Sequence, residues 1–214
     1  MKVAILSESE ADEAAVRILA DGVLGTKTKR PSGPPIRVRA RGWPAVLSTI
    51  PAIVNALHYW SDADGLIVVV DSDLSPIHTQ SHKEPERADV SCRLCQVAEA
   101  VALTKSHLRP VPGRAPLRIA AGLAVPQIEA WYLVGIDPHV NEAAWTSSQQ
   151  FGTFIFRRET LKRKAYGSDR PSLEMETDMA RQHAERIVRN GHLPLLEQFF
   201  PGGFGALATD LRTW

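Results

Sequence analysis

The chain has 214 residues and a formal net charge of +1, with 44% hydrophobic and 23% charged residues. This length suits one domain, or one domain with an extension, and the composition is typical of a globular protein with its own hydrophobic core. No apolar run approaches the ~20 residues of a membrane span, and the first apolar stretch is too short for a signal peptide. Two cysteines cannot form a disulfide framework, so we expect a cytoplasmic protein without a membrane partner.

Charged residues are distributed unevenly along the chain. Residues 27–42 contain six basic residues and no acid, and residues 151–170 contain six basic residues and two acids. The first 25 residues carry five acids and two bases. A basic surface beside an acidic cluster suits an enzyme that acts on a phosphate-rich substrate. The alternative is that each basic run is an ordinary solvated face.

Apolar runs predict four β-strands. They lie in residues 2–6, 36–42, 65–71 and 116–125. The second of them alternates apolar residues with Arg37, Arg39 and Arg41, which predicts a half-buried strand with a basic outer face. The third, GLIVVVD, is continuously apolar, as expected of a parallel strand that is covered on both faces.

Helical spacing of apolar residues predicts helices between and after the strands. The first four lie in residues 7–25, 44–60, 88–108 and 126–135. We expect Pro51 to kink or divide the second helix, Asp89 to cap the third, and Pro126 to open the fourth. The predicted buried stripe of the third helix consists of Val90, Leu94, Val97 and Val101.

This alternation of strands and helices predicts an α/β fold with a mostly parallel sheet flanked by helices. From about Asp137 onward the sequence shows helical patterns and no convincing strand. We therefore expect an α/β domain in residues 1–135 and a helical extension, residues 136–214, packed on the same unit.

Acidic residues follow three of the predicted strands. Glu8 follows the first strand, Asp71 and Asp73 end the third, and Glu129 lies just after the fourth. Ligands of parallel α/β sheets bind outside the carboxyl ends of the strands, where these acids would meet. Because neighbouring carboxylates repel one another, a cation such as Mg²⁺ would stabilise them. An Asp-x-Asp pair alone is a weak signal, since many such pairs only cap the next helix.

Two segments resemble the TOPRIM fold, which topoisomerases, primases, OLD-type nucleases and small TOPRIM-like proteins of bacterial defence systems share. They are AILSESEADEAAV, with Glu8 after the first strand, and IVVVDSD, with Asp71 and Asp73. The segment VPQIEAWYL, which contains Glu129, is similar to a segment of the small TOPRIM-like proteins. The resemblance covers about residues 1–135, and Ser9 departs from the glycine that many members carry after the glutamate.

The resemblance implies a Rossmann-like TOPRIM sheet in which Glu8, Asp71 and Asp73 hold Mg²⁺ or Mn²⁺. It further implies phosphoryl transfer on DNA or RNA, most simply nuclease activity, and a role in bacterial defence. Glu8 would alternatively act as the base, and Glu129 would support a second ion. The resemblance leaves a partner protein subunit open. The residues expected to hold the nucleic-acid backbone are Arg157, Arg158, Lys162 and Lys164.

Two other functions fit the same sequence. A nucleotide-sugar transferase also binds a diphosphate through a divalent ion held by an Asp-x-Asp pair. A non-catalytic protein would use its basic faces to bind nucleic acid or another protein.

A different metal site is also compatible with the sequence. His78, His82, Cys92 and Cys95 form the pattern H-x3-H-x9-C-x2-C, whose residue types and spacing suit zinc. Alternatively, the cysteines are small core residues of the predicted helix. A thioredoxin-like use of the pair is disfavoured, because a long polar loop precedes it.

Overall fold

The computed structural model describes residues 1–33, 42–83, 89–153 and 158–214. Within these ranges, β1 (Val3–Leu6), β2 (Gly65–Asp71) and β3 (Arg118–Ala124) form a parallel sheet in the order β1-β2-β3. The predicted α/β class and these three strands are confirmed. The predicted basic strand at 36–42 lies, apart from Gly42, outside the described residues.

Helices surround this sheet and make up the remainder of the described fold. In chain order they are α1 (Glu10–Leu24), α2 (Trp43–Trp60), α3 (Arg93–Ser106), α4 (Ile128–Tyr132), α5 (Glu142–Phe151), α6 (Arg158–Tyr166), α7 (Leu173–Arg189), α8 (Leu193–Phe199) and α9 (Ala206–Leu211). A short 3-10 helix spans Gln80–Lys83, and a π-helix spans Pro201–Gly205. None of the helices in these ranges combines the length and the apolar character needed to cross a membrane.

Helix α1 ends at Gly25 as predicted, but it begins at Glu10, three residues after the predicted start. The Ser9 hydroxyl accepts a hydrogen bond from the Asp12 N–H at 3.1 Å, which caps the N-terminus. Gly25 ends the helix with a φ of 65°, a left-handed conformation that glycine adopts without strain. Val16 and Leu19 are buried, so this stripe packs into the core as predicted. The capped end of α1 thus lies directly after Glu8, at the carboxyl end of β1.

Proline is tolerated inside α2, which is one helix over its whole length rather than two. Pro51 is exposed, so the missing N–H lies on the solvent side of the helix. The core-facing stripe consists of Val46, Ile50, Ile53, Val54 and Leu57.

The predicted start of α3 is wrong. The helix begins at Arg93 with Cys92 at the N-cap position, while Asp89 closes a preceding turn by accepting a hydrogen bond from the Ser91 N–H at 2.8 Å. Val90 therefore lies before the first helical residue and is not part of the buried stripe of α3. Its side chain is 86% exposed. Leu94 and Val97 are buried and Val101 is partly buried, so the rest of the predicted stripe is confirmed.

The predicted start of α4 is also too early. Pro126 follows a cis peptide bond to Val125, and the first helical residue is Ile128. Gln127 occupies the N-cap position in an extended conformation.

The C-terminal helices pack on the sheet unit. Helix α7 lies along α1, and the π-helix and α9 pack against β3. No strand follows β3 in the described part of the chain. As a result, residues from α6 and α7 lie beside the carboxyl edge of the sheet and contribute to the site described below.

Substitution of Gly203 in the π-helix should destabilise the fold. A Cβ atom there would lie 2.0 Å from the backbone oxygen of Leu123 in β3, so a rigid segment would have to move. We expect Gly203→Ala to lower the free energy of unfolding by about 1–3 kcal/mol. Gly205→Ala is the matched control, because its Cβ would lie 3.3 Å from its nearest neighbour, the Glu197 backbone oxygen. Urea unfolding followed by circular dichroism measures both, and equal midpoints would contradict the expected clash.

Candidate acidic active site

A cavity of about 480 Å³ lies at the carboxyl edge of the sheet. Its volume is within the range of small-molecule sites, about 300–1,000 Å³. Residues that follow all three strands line it, together with residues of α1, α2, α3, α6 and α7. Within the described ranges, six acids line it: Glu8, Asp12, Asp71, Asp73, Glu129 and Glu176. The basic side chains from the same ranges are Arg93 and Lys162. The four sequence-predicted acids therefore lie in one cavity.

Glu8 and Asp71 are in direct contact. Because β1 pairs with β2, Leu6 lies opposite Val68, and the chain continues from there to Glu8 on the same edge. The Glu8 Oε1 atom accepts a hydrogen bond from the Asp71 backbone N–H at 3.1 Å. Asp71 in turn accepts a hydrogen bond through Oδ1 from the Ile128 N–H at 3.0 Å, which joins the end of β2 to α4. These bonds hold the ends of β1 and β2 and the start of α4 together.

The second aspartate of the Asp-x-Asp pair is held differently from the first. Asp73 has a φ of 47°, so the segment is no longer extended there, and aspartate is among the residues that tolerate this left-handed conformation. The Arg93 Nη1 atom donates hydrogen bonds to Asp73 Oδ2 at 2.9 Å and to the Asp71 backbone oxygen at 2.6 Å. Arg93 therefore fixes the position of Asp73 relative to Asp71.

Burial and mutual repulsion disfavour ionisation in this cavity. Burial, followed by the charge of Glu129, raises the pKa of Asp12 from 3.8 to about 7. The same two causes, with the charge of Asp12 next, raise the pKa of Asp71 well above its usual value. A bound cation would reverse this cost, because it favours the charged form of every carboxylate around it.

Lys162 is an internal cation of the cavity. Its Nζ atom lies 2.6 Å from Glu176 Oε1 and 3.7 Å from Glu129 Oε1, and its side chain is only 19% exposed. Glu129 is itself buried. The sequence pattern placed Lys162 in a basic run on the surface, but α6 and α7 bring it against acids that are distant in sequence. Arg93 and Glu176 have no sequence signal of their own, since they reach the cavity only through the packing of α3 and α7.

Lys164, another predicted nucleic-acid contact, does not line the cavity. The Lys164 ammonium is bound to Asp137 Oδ2 at 2.6 Å. Arg157 lies outside the described residues, and Arg158 is placed only as the first residue of α6. Binding of a nucleic-acid backbone by this run stays a prediction.

The predicted zinc ligands also converge. In the described ranges, His78, His82, Cys92 and Cys95 are the group of potential metal ligands whose four ligand atoms all lie within 4.8 Å of one another. No three carboxylate oxygens of the acidic cavity converge as closely within those ranges.

Comparisons with models of known protein families, with curated proteins and with solved structures found no match to this chain. The TOPRIM resemblance therefore stays a prediction, which rests on Glu8, Asp71, Asp73 and Glu129.

The cation-free protein should lose stability as the pH rises through the range from about 4 to about 7. An acid whose pKa is raised by folding binds its proton more tightly in the folded state, so the free energy of unfolding falls as the pH passes from its unfolded to its folded pKa. Asp12 sets this window, with a shift from 3.8 to about 7. Each kcal/mol lost lowers the melting temperature by about 2–4 °C. Thermal melts in chelator at a series of pH values measure the decline, which Asp12→Asn should reduce.

Glu142 supplies the control for this experiment. Burial raises its pKa from 4.5 to about 7, and its Oε2 atom accepts a hydrogen bond from the Gly202 N–H at 2.8 Å, outside the acidic cavity. Glu142→Gln should also reduce the loss of stability as the pH rises. Added Mg²⁺ should offset only the part of this loss that Asp12 contributes. Equal decline in the unsubstituted protein and in Asp12→Asn would contradict the assignment to Asp12.

Proposed function

We propose that this protein is a Mg²⁺- or Mn²⁺-dependent phosphoryl-transfer enzyme that acts on nucleic acid, and specifically a nuclease that hydrolyses phosphodiester bonds. The observation that carries the proposal is the cavity with six acids at the carboxyl edge of a parallel sheet, in which Glu8 contacts Asp71. The sequence resemblance of the same residues to TOPRIM proteins supports it. Action in bacterial defence and a partner subunit rest on that resemblance alone.

The donor set of the cavity fits a hard divalent cation. Glu8, Asp71 and Asp73 would hold the ion, and Glu129 would support a second one. Carboxylate oxygens are the ligands that Mg²⁺ prefers, and Mg²⁺ keeps several of its waters. When bound, the cation neutralises charge on the phosphate and activates water as a nucleophile.

Two basic side chains of the cavity suit a phosphate group. Arg93 already bridges the Asp71 backbone oxygen and Asp73, and its planar guanidinium also matches phosphate oxygens. Lys162 places a point charge beside Glu129 and Glu176. We therefore assign Arg93 and Lys162 to holding the phosphodiester, and Glu8 or Asp12 to accepting a proton from water.

Cleavage of labelled single-stranded and duplex DNA and RNA tests this function. Cleavage should require Mg²⁺ or Mn²⁺ and stop in chelator. Glu8→Gln and Asp71→Asn should each lower the rate at least about 100-fold, since each removes a charge from the cation site or a proton acceptor. Glu10→Gln is the matched control, because Glu10 lies two residues from Glu8 but is exposed and does not line the cavity.

Other outcomes point to the other two functions. Mn²⁺-dependent transfer from a nucleotide sugar that survives Glu8→Gln would identify a transferase. Salt-dependent binding of nucleic acid without any cleavage would identify a non-catalytic protein. Either result would overturn the nuclease proposal.

A further inference from the structure

Two histidines and two cysteines form a second cluster next to the acidic cavity, which we call the His–Cys cluster. His78 lies in the loop after β2, and His82 lies in the 3-10 helix Gln80–Lys83. Cys92 is the N-cap residue of α3, and Cys95 lies in the first turn of that helix. Cys92 is fully buried, and the other three side chains are partly buried. Two segments that flank the end of β2 thus contribute two ligand-type residues each.

Three of the six ligand-to-ligand distances within the His–Cys cluster match one tetrahedral ion, and all six are within 4.8 Å. The Cys92 and Cys95 Sγ atoms lie 3.7 and 3.6 Å from His78 Nδ1, and Cys95 Sγ lies 3.6 Å from His82 Nδ1. Zinc bonds of ~2.3 Å to sulfur and ~2.05 Å to nitrogen at tetrahedral angles place these atoms about 3.6 Å apart. A cluster of two irons and two sulfides fits less well. Its cysteine and histidine ligands bind different irons, so their sulfur and nitrogen atoms do not all converge on one point.

Simple hydrogen bonding explains this arrangement less well. A thiol has one proton to donate, yet Cys95 lies at the same distance from two imidazole nitrogens. The Nδ1 atom of His78 likewise faces both sulfurs. Each of these two residues therefore directs one atom at two partners, as ligands around a shared ion do. A bound zinc ion would itself hold both cysteines as thiolates, the form of cysteine that binds metal.

We propose that His78, His82, Cys92 and Cys95 bind one Zn²⁺ ion. Soft thiolates with imidazoles in a tetrahedral S2N2 set favour zinc over Mg²⁺ or Ca²⁺. All four coordination positions are filled by protein atoms, so no position is open for substrate and the ion is structural.

The zinc site braces the acidic cavity through Arg93. Arg93 is the first residue between Cys92 and Cys95, and it donates hydrogen bonds to the Asp71 backbone oxygen and to Asp73. The ion therefore joins two segments of the chain. One follows Asp73 and carries His78 and His82, and the other is the first turn of α3, which holds Asp73 in place. We expect loss of zinc to loosen this connection while leaving β1, β2 and β3 paired.

Metal analysis and cobalt substitution test the site. Protein purified without chelator should contain about one zinc per chain by plasma mass spectrometry. Protein reconstituted with Co²⁺ should show the intense visible bands of tetrahedral cobalt and a near-ultraviolet thiolate-to-cobalt charge-transfer band. Oxygen ligands of the acidic cavity cannot give the charge-transfer band, so Glu8→Gln should leave that band unchanged. Chelation of the zinc should lower the melting temperature by about 10 °C.

Variants locate the ion within the chain. Cys95→Ser and His82→Ala should each lower zinc affinity by at least about 10-fold. Substitution of a residue that only supports a metal ligand already costs about 10- to 100-fold, and these two variants remove a ligand itself. His82→Cys should retain one zinc, because a Cys3His set also forms structural zinc sites, and it keeps the test informative if the other variants do not fold. His139→Ala is the control, since His139 is exposed and distant in sequence from the cluster.

Three results would overturn the proposal. The first is protein that contains almost no zinc and gives no charge-transfer band with cobalt. The second is a metal-free disulfide between Cys92 and Cys95 that forms reversibly, which would indicate a redox pair. The third is bound zinc that Asp71→Asn removes and Cys95→Ser does not, which would assign the ion to the acidic cavity. Failure of nuclease activity with zinc retained would affect the proposed function alone.

Discussion

Parallel pairing of β1 with β2 is the constraint on which the rest of the site depends. It places the chain after β1 beside the end of β2, so that the Glu8 carboxylate accepts a hydrogen bond from the Asp71 N–H. Neighbouring acids share the cavity with these two, and burial together with their charges raises the pKa values of Asp12 and Asp71. Among the residues that the structure describes, two basic side chains face six acids in the cavity. This imbalance favours a cation, whatever reaction the cavity performs.

The cavity depends on both halves of the chain. Residues of the first half supply the strand ends, but α6 contributes Lys162 and α7 contributes Glu176, and these two bind each other at 2.6 Å beside Glu129. Helix α7 lies along α1, whose first turn carries Asp12. Because the helical extension supplies the internal cation, the sheet unit alone would leave the buried Glu129 without this partner, at a substantial cost in free energy.

The sequence predicts the parts of this structure that depend on local pattern. Apolar runs located β1, β2 and β3, and acids at their carboxyl ends predicted that Glu8 and Asp71 would lie close together. Positions set by tertiary packing were not predictable in the same way. Val90 fits a helical stripe but precedes the helix. Lys162 fits a basic surface run but contacts Glu176 and the buried Glu129. The Asp73 carboxylate is held by a partner, Arg93, that lies 20 residues away in sequence.

The His–Cys cluster also shows that a sequence pattern does not by itself predict tertiary contacts. Residue types and spacing indicated possible zinc ligands, but only the fold shows that the two halves of the pattern converge on one point. The close approach of these four side chains affects the acidic cavity, because Arg93 lies inside the Cys-x-x-Cys turn and holds Asp73. An ion bound by the cluster would restrict this turn and Arg93 with it, and so would limit the arrangements that Asp73 can adopt toward Asp71. Order at the cluster would then become order in the acidic cavity, where repulsion between carboxylates drives the side chains apart.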